Sequence, residues 1–208
     1  MLLGPGQHRK ARSCRYSEGF VSMQQPKSIY YLTGMGGQLA TGLGEELARR
    51  GLEVSGRELS GEFRQLGFQE RIDIVAGDLQ THHWSERSGV VANSFGAYIF
   101  LHAQAQMTPY AGKVLLLSPI VGEFGNEQSR KGFIPPRSAR LNQLARSGQY
   151  PTPTRCEMHV GSDDWQSNPS AVLELGDLLG LKVTVAQGAG HNLPKAYVRE
   201  LLDVWLSN

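Results

Sequence analysis

Hydrophobic and polar positions alternate regularly from Ser28 onward. Residues 28–32 form a short apolar run that predicts a strand, and Leu39, Leu43 and Leu47 follow at helical spacing until Gly51 stops the helix. Residues 52–59 predict a weaker second strand, whereas 61–86 are polar and the pattern assigns them to no particular element. Residues 90–93 give a third strand that passes into a helix from Phe95 to about Gln106, and 113–118 give a fourth strand. Residues 155–160 and 181–186 give the fifth and sixth. Between those two lies a helix with Asn168 as N-cap, Pro169 in its first turn and Gly180 beyond its end. A last helix starts near Pro194, with Val198, Leu201, Leu202 and Trp205 along one face.

Strands and helices alternating at this spacing predict an α/β domain, a mostly parallel sheet of about six strands with helices on both faces. The continuous apolar run Val114-Leu115-Leu116-Leu117 suits a strand buried on both sides. In such sheets ligands bind at the carboxyl ends of the strands, so the chemistry should lie in the loops that follow them. The first 22 residues fall outside this pattern. They mix Gly, Pro, Ser and Arg, and Met1-Leu2-Leu3 runs at once into Gly4-Pro5-Gly6, without the apolar core of a secretory signal. They read as a disordered tail or an extension upstream of the true start, with Met23 close before the first strand, which leaves 23–208 as one domain. The long insertion at 120–154, between the fourth and fifth strands, reads as a cap over the strand ends.

Composition narrows the class. A chain of 208 residues with 40% hydrophobic and 19% charged content is globular and long enough to bury a core unaided. No apolar run approaches the roughly 20 residues of a membrane span. The net charge of +2 comes from the tail, where Arg9, Lys10, Arg12 and Arg15 stand against Glu18, so a nucleic-acid partner is not indicated. Cys14 and Cys156 lack metal-ligand spacing and are too few for a disulfide framework, which suits a reducing, cytoplasmic setting. The insertion is cationic: Arg130, Lys131, Arg137, Arg140 and Arg146 face only Glu123 and Glu127, charges that read first as solvating an exposed helix and otherwise as a field over the site that would favour anionic substrates.

Four loops carry candidate chemistry. The third strand ends in Ala92-Asn93-Ser94-Phe95-Gly96 and turns directly into a helix, the small-x-Ser-x-small pattern that lifts a serine hydroxyl out of the sheet at a helix N-terminus. A serine needs a base, and Gly188-Ala189-Gly190-His191 after the sixth strand offers one between flanking glycines. His8, His82, His83, His102 and His159 lie in the tail, before a strand or inside elements, and read as structural or exposed. The base needs an acid, and Gly161-Ser162-Asp163-Asp164 after the fifth strand supplies two carboxylates, either of which fits. Two backbone N–H groups must meet the oxyanion. One is that of Phe95, and the glycine-rich Thr33-Gly34-Met35-Gly36-Gly37 after the first strand can bring the second close.

With TGMGG, ANSFG, GSDD and GAGH in the order Ser, Asp, His, residues 28–206 resemble the α/β-hydrolase family. The resemblance implies a single three-layer domain with the family's strand order 4-3-5-6-7-8, lacking the two antiparallel strands that usually lead it. It implies that Met35 supplies the second oxyanion N–H, although Thr33 stands where the family often has His. The family's Gly-x-x-Asp register points to Asp164 rather than Asp163. The expected activity is that of a serine hydrolase on a carboxylic ester or related acyl compound, with no metal or organic cofactor and a small-molecule substrate. Two other readings compete. A dinucleotide-binding oxidoreductase needs glycine at 39, or at 38 and 40, where the chain has Leu39, Gln38 and Ala40. A catalytically silent binding protein on the same fold is the other, since a fold alone never fixes function.

Overall fold

A computed structural model describes residues 1, 25–126 and 131–207; the expected tail lies largely outside them. The strands, in chain order, are β1 (Ser28–Met35), β2 (Glu53–Leu59), β3 (Ser88–Asn93), β4 (Lys113–Leu117), β5 (Phe124–Asn126), β6 (Lys131–Phe133), β7 (Arg155–Gly161) and β8 (Lys182–Ala186). The helices are α1 (Leu43–Arg49), α2 (Gly61–Gln65), α3 (Phe68–His82), α4 (Phe95–Gln104), α5 (Arg140–Arg146), α6 (Pro169–Leu179) and α7 (Lys195–Ser207). Six strands form one sheet in the order β2-β1-β3-β4-β7-β8, and every neighbouring pair is parallel. This is the order expected from the resemblance. None of the described helices is long and apolar enough to cross a membrane.

The sheet's two faces follow from the alternation of side chains along each strand. Tyr30, Leu32, Val90, Ala92, Val114 and Leu116 point into one core, packed with buried side chains of α3, α4, α5 and α6. Ile29, Tyr31, Val91, Leu115 and Leu117 point into the other, against Leu47 of α1 and Leu202, Trp205 and Leu206 of α7. The result is a single three-layer domain. The strand order reverses direction between β1 and β3, which opens a crevice at their carboxyl ends.

The stretch 61–86, which the sequence pattern leaves unassigned, contains α2 and α3. Helix α3 buries Ile72, Val75, Ala76 and Leu79, a proper helical stripe interrupted in the sequence by Asp73, Gly77 and Asp78. Asp78 is polar for a reason: Arg57 donates to its carboxylate at 2.7 and 2.9 Å and the Tyr30 hydroxyl at 2.5 Å, which ties α3 to β1 and β2. Leu39 lies outside α1, because the chain folds back so closely that its carbonyl oxygen would sit 1.9 Å from a Cβ on Gly44. The 120–154 insertion carries the β5–β6 hairpin and α5. Asn168 caps α6 as expected, accepting the N–H groups of Ser170 and Ala171, and Gly180 ends the helix at φ +65°.

Candidate active site

Ser94 stands between β3 and α4 at φ 54° and ψ −123°, a conformation that non-glycine residues rarely adopt. Its N–H donates to Leu117 O and its carbonyl accepts the N–H of Ile120, so the end of β4 holds the turn. Gly96 must be glycine: a Cβ there would lie 2.4 Å from Thr33 O and 2.5 Å from Leu32 O. That close approach of α4 to β1 is what the small-residue pattern around Ser94 serves. Ala92 is fully buried on the core face of β3.

The loops after β7 and β8 are stitched together. Ser162 and Asp163 donate their N–H groups to Ala186 O and Ala189 O, both at 2.9 Å, and Ser162 Oγ accepts the N–H of Gly188 at 2.8 Å. A Cβ on Gly161 would collide with Ala189 O at 2.1 Å. The sewing brings His191 over the strand ends, where its Nε2 lies 2.8 Å from Ser94 Oγ and its Nδ1 lies 3.0 and 2.9 Å from the two Asp164 oxygens. Asp164 is almost wholly buried, whereas Asp163 is exposed and, among the described residues, its side chain accepts only from the neighbouring Ser162 hydroxyl. Burial raises the Asp164 pKa, but the hydrogen bond from His191 and the N–H groups of Ser167 and Gln166 outweigh it and hold the carboxyl below its ordinary range. An ionised Asp164 only accepts, so the imidazole proton belongs on Nδ1 and Nε2 accepts from the serine hydroxyl.

The loop after β1 comes up beside the serine. Gly34 donates its N–H to Asn93 Oδ1 at 2.9 Å, and Met35, half exposed, follows it into the same cavity. Thr33 is buried in the fold and its hydroxyl accepts the N–H of Leu59, so it serves the strand and not the site.

The cavity has a volume of about 1150 Å³ and includes Ser94, His191, Met35 and Phe95 in its wall. The insertion reaches it through Ile120, Phe133 and Pro136. The expected cationic cover is a different matter: Lys131, Arg137, Arg140 and Arg146 do not line the cavity, and Arg130 and Glu127 lie outside the described residues. Arg146 instead turns away to pair with Glu174 on α6. The cations in the wall include Arg64 and Arg71, from the stretch whose helices the sequence pattern obscured. Ser167 and Ser118 were also not foreseen. Ser167 Oγ donates to Ser118 O at 2.5 Å and lies 3.4 Å from His191 Nδ1, bracing the acid loop against the end of β4. The other described histidines stand apart: His83 is bonded to Ser55 at 2.9 Å, His159 to Tyr197 at 2.6 Å, and His102 is buried in α4.

No family model and no curated protein matches the chain. Solved structures do. The ydeN gene product from B. subtilis superposes at a TM-score of 0.61 with 14% identity, over 88% of this chain and 100% of that one. The chain has the α/β-hydrolase fold. TT1662 from Thermus thermophilus gives a TM-score of 0.61 at 19% identity, covering 89% of this chain and 91% of its own. A structure described among carboxylesterases of Nitrososphaera gargenis gives 0.60 at 15% identity, covering 88% and 89%. On the α/β-hydrolase fold, Ser94, Asp164 and His191 follow β3, β7 and β8, and Met35 ends β1.

Proposed function

We propose that the protein is a serine hydrolase that cleaves a carboxylic ester or related acyl compound. The observation that carries this reading is the unbroken hydrogen-bonded chain from Ser94 through His191 to Asp164 at the wall of the cavity. Ser94 Oγ attacks the substrate carbonyl while its proton passes to His191 Nε2. Asp164 fixes the tautomer of His191 and stabilises the imidazolium. The oxyanion takes the N–H groups of Phe95, at the N-terminus of α4, and Met35. The tetrahedral intermediate then expels the alcohol, which takes the proton from His191, and leaves Ser94 acylated. A water molecule repeats the sequence, giving its proton to His191 and releasing the acid. The scheme draws on no metal or cofactor. The likeness in fold to a structure described among carboxylesterases agrees with it.

A fluorophosphonate probe should label Ser94 and be blocked in Ser94→Ala, and a panel of acyl esters should show turnover. A chain that neither takes the label nor cleaves any ester is the silent binding protein instead.

A further inference from the structure

Arg71 lines the cavity, yet its guanidinium has no acceptor among the described residues. Its Nε is buried without a hydrogen bond, and no described carboxylate comes within ion-pair distance. The group is held against two aromatic rings instead, with Cζ 5.8 Å from the centroid of Phe68 and 5.7 Å from that of Phe95. Burial lowers its pKa, but a guanidinium keeps its charge at any ordinary pH. A partly buried cation with no counter-ion is a cost to the fold that an anion in the cavity would offset. Its surroundings do not offset it. In the same wall Arg49 is paired with Glu45 at 3.4 Å and Glu46 at 2.9 Å, and Arg199 reaches Glu46 at 3.5 Å, so both carboxylates are engaged. Arg64 and Lys195, also in the wall, form no ion pair among the described residues. The cavity is thus cationic, and Arg71 is the member that lies against aromatic rings.

Position gives the charge a use. Phe95 follows Ser94 directly, and its backbone N–H is the oxyanion donor proposed above, while its ring carries Arg71. A substrate chain leaving the serine along this ring would run to the guanidinium. The planar fork of an arginine matches the two oxygens of a carboxylate, and the two rings fix the place of this one.

We infer that Arg71 is a specificity residue that receives a free carboxylate on the substrate, so that the preferred substrates are esters of dicarboxylic acids with one carboxyl left free. The inference rests on the hydrolase reading for its effect on turnover, but not for its effect on binding.

The test compares 4-nitrophenyl hydrogen adipate with 4-nitrophenyl methyl adipate, its neutral methyl ester, in the wild type, Arg71→Met and Arg71→Lys. Alongside, calorimetry follows binding of adipic monoanilide, an uncleavable amide, against its methyl ester. In the wild type the acid should exceed the neutral ester in kcat/KM by about tenfold or more, mainly through KM, as a charged hydrogen bond predicts. Raising salt should shrink the advantage. Arg71→Met should bring the ratio towards one, and Arg71→Lys should restore only part of it. If Arg71→Met does not fold, the partial loss in Arg71→Lys carries the test. A wild type without preference for the acid, or a ratio untouched in both variants, overturns the inference. If no ester is cleaved and Ser94 takes no label, the hydrolase reading fails alone: weaker binding of the anilide acid to the variants still upholds the anion site, and equal binding removes it.

Discussion

Asn93 Oδ1 accepts the backbone N–H of Gly34 at 2.9 Å, so the strand that presents the candidate nucleophile also holds the loop that presents Met35. The Tyr31 hydroxyl donates to the same oxygen at 3.1 Å and fixes the amide's orientation. The bond also engages the N–H of Gly34, in keeping with Met35 rather than Gly34 as the oxyanion donor proposed for this loop.

Asn93→Ala frees that loop. Turnover should fall by about tenfold to a hundredfold with KM little changed, because a donor to the oxyanion acts in the transition state and is here displaced rather than deleted. Steady-state kinetics on one activated ester decide it. A loss confined to KM would mean that Asn93 shapes substrate binding instead.

Ser94 carries a backbone cost along with its hydroxyl. Ser94→Ala should lose about 10³-fold or more in turnover while folding normally. Ser94→Gly should be equally inactive yet more stable than the wild type by about 1 kcal/mol, because glycine accepts a positive φ without strain. Thermal melts of the three proteins test this. A glycine variant no more stable than the alanine variant would mean that the turn stores no strain.

The loops of the candidate site were legible because tight backbone approaches leave a residue signature. Gly96 and Gly161 are dictated by carbonyl oxygens that leave no room for a Cβ, and those contacts seat Ser94 and the acid loop. The strand order was legible through the resemblance, and the parallel sheet through buried runs such as that of β4. Helix α3 was not, because Asp78 sits in it as the partner of Arg57, a contact between residues far apart in sequence. Arg71 was lost with that helix. The cap's charges left two readings open for a related reason: composition shows that a segment is cationic, but not which way its side chains turn, and Arg146 turns to Glu174. Of the two glycines flanking His191's approach, only Gly188 takes a positive φ, whereas Gly190 has room for a side chain.

Adjacent carboxylates should separate sharply. Asp164→Asn removes the negative partner of His191 and should cut kcat by about 10³ to 10⁴, as loss of the right tautomer does elsewhere. Asp163→Asn touches an exposed side chain bonded to Ser162 and should change activity by less than about threefold. Equal, mild losses in the two variants would move the acid to another residue. There is a second readout in stability. The Asp164 carboxyl is held below its ordinary range in the fold, so its stabilising contribution is present above the unfolded value and disappears as pH falls through the folded one. The gap in stability between wild type and Asp164→Asn should therefore narrow on acidification.

His102 should make the fold sensitive to mild acid. It is buried on α4 with its Nε2 unpartnered, 4.5 Å between ring centroids from Tyr98 and 5.2 Å from Phe68. Burial, helped by the positive charges of Arg137 and Arg140, pushes its pKa down to about 4. In the unfolded chain it titrates near its ordinary value of about 6.5. Between these values the unfolded chain binds a proton that the native state refuses, so stability falls as pH drops through the window and levels off below it. The slope from this one group is about 1 kcal/mol per pH unit. Urea unfolding of the wild type and His102→Leu at pH values across the window isolates it, because the other titrating groups are common to both. The wild type should lose its stability relative to His102→Leu steadily as the solution is acidified. Curves that stay parallel would mean that His102 is protonated in the native state, and that its position between two aromatic rings and two arginines does not exclude the charge.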